Sequence, residues 1–128
     1  MPDYYIGLIS GTSMDGIDAA LVEFGDRSVE IVSGRTAPYP EALRSKLMDA
    51  TRAPETCTAD LIGTLDHWVG ECFRDTALEL MQAAGVPPDQ VRAIGSHGQT
   101  IRHRPDDERP FTLKIGNAAI IAKGTGID

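Results

Sequence analysis

The chain has 128 residues and a mass of 13.8 kDa, enough for one domain with a core of its own. Twelve basic against nineteen acidic side chains leave a net charge of −7 and a pI near 4.8, which argues against nucleic acid or an anionic membrane surface as a partner. Apolar residues at 41% and charged residues at 24% are those of an ordinary globular protein.

Tyr4 to Ser10 is a short run of aromatic and branched residues and reads as a strand. Gly11 to Gly16 is turn chemistry, and Ile17 to Phe24 is again apolar and strand-length. After a second turn at Gly25–Arg27, Ser28 to Tyr39 suits a third strand, completing an antiparallel meander. Pro40 to Ala50 is expected to be a short helix, with Pro40 tolerated at its start. Thr58 then fits an N-cap for a long amphipathic helix, because Leu61, Leu65, Trp68, Cys72, Thr76 and Leu80 recur every three or four residues. Gly85 ends it and Pro87-Pro88 forbids continuation. Val91 to Ser96 reads as a fourth strand, His97 to Pro110 as a polar loop, Phe111 to Ile115 as a short strand, and Ala118 to Lys123 as a short helix. Thr125 to Asp128 reads as a turn entering a new strand. The order predicts an α/β sheet covered by helices, without the regular alternation of a Rossmann unit.

Cys57 and Cys72 form no CxxC pair, and His97 and His103 lack metal-ligand spacing, so neither a zinc site nor a disulfide framework is expected. Cys72 falls in the apolar stripe and His67 on the helix surface. Arg102 and Arg104 are expected to pair with Asp106 to Glu108. Asp3 interrupts the opening residues, no basic segment precedes an apolar run there, and no stretch is long enough to cross a bilayer. The expected location is therefore the cytoplasm.

The segment Ser10-Gly11-Thr12-Ser13-Met14-Asp15-Gly16-Ile17-Asp18 joins two apolar strands. Glycines permit close approach, Thr12 and Ser13 offer hydroxyls, and successive turn amides can form a nest for an anion. Asp15 and Asp18 would repel phosphate unless they hold a magnesium ion, a water or a sugar hydroxyl. An ordinary hairpin with Gly and Asp as turn formers accounts for the same composition. Neither GxxxxGK[ST] nor GxGxxG is present. Ser96 and His97 do not make a hydrolase pair, since Gly95-Ser96-His97-Gly98 is not GxSxG.

The longer string Gly7 to Leu21 resembles the opening of anhydro-N-acetylmuramic acid kinases. Ile94-Gly95-Ser96-His97-Gly98-Gln99-Thr100-Ile101-Arg102-His103 and the stretch from Thr112 to Ile127 resemble the same family, in the same order. The last stretch departs at Lys114, Asn117 and Gly124, where Gln, Asp and Arg are usual. The resemblance implies the superfamily of sugar kinases, actin and heat-shock ATPases. Its members have two ribonuclease-H-like domains around a cleft that binds ATP. This chain is then expected to be the N-terminal ribonuclease-H-like domain, residues 1–128, incomplete at its C-terminus and without the second domain.

The similar enzymes open the 1,6-anhydro ring with water and phosphorylate O6 from ATP, in cell-wall recycling. The resemblance makes Gly11, Thr12, Ser13, Met14, Asp15, Gly16, Ile17 and Asp18 the ATP-phosphate element. It makes His97, Gln99 and Thr100 the sugar-side residues, and lets Asp15 hold Mg2+ through water. The base is an aspartate expected beyond Asp128 in an Asp-Phe-Arg-like context, so the isolated chain is expected to be inactive. The implied cofactors are ATP and Mg2+, and the implied partner a small amino sugar, with a homodimer of the full-length protein as one option. Another sugar or acyl-phosphate kinase of the superfamily and a non-catalytic binding module are the alternatives.

Overall fold

A computed structural model describes residues 3–128. Strands β1 (Asp3–Ser10), β2 (Ile17–Phe24) and β3 (Val29–Ala37) precede helix α1 (Glu41–Arg52) and the long helix α2 (Ala59–Ala84). Strand β4 (Val91–Arg104), strand β5 (Phe111–Ile115) and helix α3 (Ala118–Thr125) follow. They form one five-stranded sheet in the order β3-β2-β1-β4-β5. The meander is antiparallel, β4 runs parallel to β1, and β5 returns antiparallel to β4. An antiparallel meander, a parallel strand and flanking helices make up the α/β arrangement expected from the sequence.

Alternation along the strands decides which face is covered. In β1, Ile6, Leu8 and Ser10 are buried while Gly7 and Ile9 are exposed. In β2, Ile17, Ala19 and Leu21 are buried. These residues join Leu65, Val69, Phe73, Ala77 and Leu80 of α2 in one core. The spacing of that helical set is the 3.6-residue stripe that the sequence displays. Thr58 caps α2 by accepting a hydrogen bond from the Leu61 amide at 3.1 Å. Gly85 ends it in a left-handed conformation, φ +68°.

Three expectations need correction. Residues 97–110 are not a single polar loop: β4 continues to Arg104 and forms a hairpin with β5. The polar side chains misled because two bulges break the alternation in the second half of β4, one between Ser96 and Gln99 and one between Thr100 and Arg102. The third strand ends at Ala37, since Pro38 and Pro40 lack the amides a ladder needs. Arg102 and Arg104 make no ion pair with Asp106 to Glu108 among the described residues; Arg104 instead donates to the carbonyl of His103 at 3.2 Å.

Candidate functional site

Strand β1 ends at Ser10, level with Gln99 of the parallel strand β4, which runs on to Arg104; side chains beyond a strand's C-terminal end face a crevice in α/β folds. The β1–β2 hairpin, residues 11–16, rises from that end of β1. Its turn is closed by the Met14 amide donating to the Gly11 carbonyl at 3.1 Å. Thr12 and Ser13 at its tip are exposed, whereas the Met14 side chain is buried and its backbone takes the left-handed φ of 58°. The methionine therefore anchors the loop in the core and leaves both hydroxyls outside.

Gly11 and Gly16 serve different needs. A Cβ on Gly11 would meet no protein atom within 4 Å, so the space beside it is open. A Cβ on Gly16 would stand 2.6 Å from the Ala37 carbonyl oxygen, so glycine there permits β2 to pass close to β3. Neither has the positive φ that turn composition suggests.

The hairpin is braced by α1. Arg44 Nε donates to the Met14 carbonyl at 3.2 Å, and Arg44 Nη2 lies 3.4 Å from Asp15 Oδ1. Asp15 is otherwise exposed. Asp18 accepts a hydrogen bond from Thr36 Oγ1 at 2.8 Å. No group of three or more His, Cys, Asp or Glu side chains converges among the described residues. A magnesium ion here would find one protein carboxylate in Asp15, which fits an ion carried in on phosphates and water, since Mg2+ keeps much of its hydration.

On the β4 side, the bulge between Ser96 and Gln99 sorts the three sugar-side candidates. Ser96 pairs with Leu8, but Gln99 rather than residue 98 pairs with Ser10. That one-residue shift turns Gln99 onto the buried face beside Ser10 and leaves His97 exposed. Gly98 makes the bulge possible: its φ is +73°, and a Cβ there would sit 2.6 Å from the Ile115 carbonyl oxygen. His97 Nε2 lies 3.0 Å from Lys114 Nζ of β5. With the ammonium as donor, the imidazole proton resides on Nδ1. Thr100 is half-buried, paired with Lys114 in the β4–β5 ladder.

Gln99 is fully enclosed. Its Nε2 donates to the carbonyls of Gly11 at 3.1 Å and Thr100 at 3.2 Å. Its Oε1 accepts from Tyr39 Oη at 3.1 Å and lies against Ser10 Oγ. Two carbonyls on one side and two hydroxyls on the other fix the amide orientation. Ser10 Oγ also reaches the Gly16 carbonyl at 2.9 Å. Tyr39 is pushed up to about 12, chiefly by burial, so its hydroxyl stays a donor. Ser10, Tyr39, Arg44 and Lys114 were not among the predicted site residues. Ser10 carried a signal, as the inward-register residue that ends β1, and Tyr39 another, standing between two prolines.

The family model of anhydro-N-acetylmuramic acid kinases matches residues 3–128. A protein of that name from Vibrio vulnificus strain CMCP6 is 47% identical over 126 residues, covering 98% of this chain and 34% of the relative. Its counterpart from Xanthomonas campestris pv. campestris strain 8004 is 51% identical, covering 96% and 33%. A third, from Xanthomonas axonopodis pv. citri, is 50% identical, covering 96% and 34%. The chain thus spans about a third of the length of these relatives. A match that runs through the hairpin, the bulged strand and α3 alike establishes that the chain belongs to the anhydro-N-acetylmuramic acid kinase family.

Proposed function

We propose that this chain is the N-terminal, ribonuclease-H-like domain of a two-domain, ATP-dependent kinase acting on 1,6-anhydro-N-acetylmuramic acid in the cytoplasm. The observation that carries the reading is the hairpin. It has open space beside Gly11, two exposed hydroxyls at Thr12 and Ser13, and a cationic brace in Arg44. Backbone that nothing obstructs, next to hydroxyl donors, suits a phosphate chain. ATP, when bound, supplies the transferred phosphoryl group, and magnesium neutralises its charge. The chain's own residues bind and orient. Thr12 and Ser13 donate to phosphate oxygens, Asp15 accepts from water around the ion, and Gly16, Ile17 and Asp18 hold the second arm of the hairpin. His97 and Thr100 line the sugar side, with Gln99 beneath them.

Phosphoryl transfer is almost entirely positioning and charge stabilisation, so it needs several elements at once. The test is therefore a fusion in which this chain replaces the matched N-terminal third of the Vibrio vulnificus kinase. With Mg-ATP and the anhydro sugar, the fusion should form the 6-phosphate, and the 128-residue chain alone should not. A folded fusion that neither binds ATP nor yields product overturns the proposal. Turnover of a different sugar or an acyl acceptor in its place redirects it to another kinase of the superfamily.

A further inference from the structure

Gln99 lies between the two sides of the proposed site. Its amide reaches the phosphate hairpin through the Gly11 carbonyl, the end of β1 through Ser10, the β3–α1 connection through Tyr39, and its own strand through the Thr100 carbonyl. A buried side chain with every bonding position used has nothing left for a ligand, so direct sugar contact is not what its position serves. A core Gln is costly to bury, and an apolar residue of like volume would be cheaper unless the bonds themselves are needed.

We propose that Gln99 is a positioning residue that locks the phosphate-binding hairpin to the strand carrying His97 and Thr100, so that the two sides of the site hold one fixed spacing. The inference rests on the kinase reading of the hairpin for its purpose, but its geometry can be tested without it. Gly11 is the residue beside which phosphate has room, and its carbonyl is the atom Gln99 grips. The same carbonyl accepts the Met14 amide that closes the turn. Releasing it therefore frees the tip bearing Thr12 and Ser13 while leaving the β1–β2 ladder and the core under α2 intact.

Three variants of the 128-residue chain separate this role from plain core packing. Gln99→Met keeps the volume and removes all four bonds. Tyr39→Phe removes one of them and serves where Gln99→Met fails to fold. Gln99→Glu supplies a conditional replacement. Burial at this enclosed position raises the carboxyl above its ordinary value of about 4.3, so the neutral form prevails at pH 5 and retains one O–H for the Gly11 carbonyl, whereas a carboxylate only accepts and would face two carbonyls. Of the groups bonded to the amide only Tyr39 titrates, and it stays neutral up to about 12.

Amide hydrogen exchange by NMR is the readout, with Met14 reporting the hairpin, Thr100 the sugar-side strand and Leu21 of β2 the global fold. We expect Gln99→Met to raise exchange at Met14 at least tenfold beyond any change at Leu21, and Tyr39→Phe to raise it severalfold. In Gln99→Glu, the Met14 rate relative to wild type at the same pH should be near one at pH 5 and climb about tenfold by pH 8, with the Leu21 ratio nearly flat. That pH-dependent rescue is a signature packing alone does not produce. Parallel changes at Met14 and Leu21 in every variant, or a pH-independent ratio in Gln99→Glu, overturn the positioning role. Titration with Mg-ATP of the fusion carrying each variant judges the other reading separately. Hairpin loosening in the chain accompanied by weaker Mg-ATP binding in the fusion supports both, and loosening where the folded wild-type fusion binds no Mg-ATP upholds the lock while removing its kinase purpose.

Discussion

At the scale of single residues, the two glycines of the hairpin give opposite expectations for the same substitution. Gly11 has ordinary φ and open surroundings, so Gly11→Ala should leave the unfolding midpoint unchanged within about 0.5 kcal/mol. In the active fusion it should nevertheless raise KM for ATP about tenfold or more, because the new methyl occupies the space proposed for phosphate. Gly16→Ala drives a methyl to 2.6 Å from a backbone oxygen, and urea unfolding should show a loss of about 1–3 kcal/mol, in line with other overpacked sites. A stable Gly11→Ala fusion with unchanged ATP kinetics would remove Gly11 from the phosphate site. Tyr39 makes a pH-dependent prediction. Its folded pKa, near 12, exceeds the ordinary phenol value of about 10. Both states hold the proton below pH 10. Above it the unfolded chain releases its proton first, so stability falls as pH rises from about 10 through about 12. Tyr39→Phe should start less stable at pH 9 by about 1 kcal/mol for the lost hydrogen bond, and the two urea midpoints should cross between about pH 10.5 and 11, with the variant the more stable by about 1 kcal/mol at pH 12. Cys72, pushed up to about 11 by burial and the acidic neighbours Asp75 and Glu71, falls in the same alkaline range in both proteins, so the comparison cancels it.

At the scale of elements, the legible parts of the sequence were those with one dominant period. The stripe from Leu65 to Leu80, opened by Thr58 and closed by Gly85, gave α2 its limits almost to the residue. Thr58→Ala should cost about 1 kcal/mol in thermal or urea unfolding by removing the bond to the Leu61 amide, and Thr58→Ser should restore most of it. The meander was equally plain, because β1 and β2 are apolar runs bounded by glycines. Strand β4 was not. Its bulge at His97–Gly98 places an exposed imidazole and a buried amide only two positions apart in the chain. A period-two reading sees only polar residues there and assigns a loop. The hairpin motif was legible as a string, yet the reasons for its residues were not: the left-handed position is Met14, and the crowded glycine is Gly16. Those depend on Ala37 and Arg44, which are distant in sequence. For the same reason Gln99 could be singled out as functional without any sign that it lies under the site.

At the scale of the whole molecule, helix α2 covers one face of the sheet, and the opposite face is apolar and exposed. Tyr5 and Phe24 stack edge-to-face at 5.1 Å, flanked by Gly7 and Gly95, and Val29 and Ile31 on the outermost strand are 61% and 75% exposed. A long apolar edge strand invites association between copies. The 128-residue chain should therefore show concentration-dependent association in sedimentation velocity. Ile31→Lys should suppress it while shifting the unfolding midpoint by less than about 0.5 kcal/mol. A wild-type chain that stays monomeric at high concentration would show that this face does not drive self-contact.

The hydroxyl of Tyr39 reaches Gln99 from a connection whose freedom is restricted before folding begins. Pro38 and Pro40 flank it, and a residue ahead of proline is confined to extended backbone in the unfolded ensemble as well. Pro40 itself adopts φ −54°, close to the value its ring enforces, and its carbonyl accepts the first amide bond of α1 from Arg44 at 2.9 Å. The chain thus loses less conformational entropy when it delivers the tyrosine to Gln99 and Arg44 to the hairpin. Pro40 is exposed and has no amide hydrogen to lose, yet Pro40→Ala should lower stability by about 0.4–1 kcal/mol in urea unfolding, by widening the range of unfolded conformations from which both side chains must be gathered.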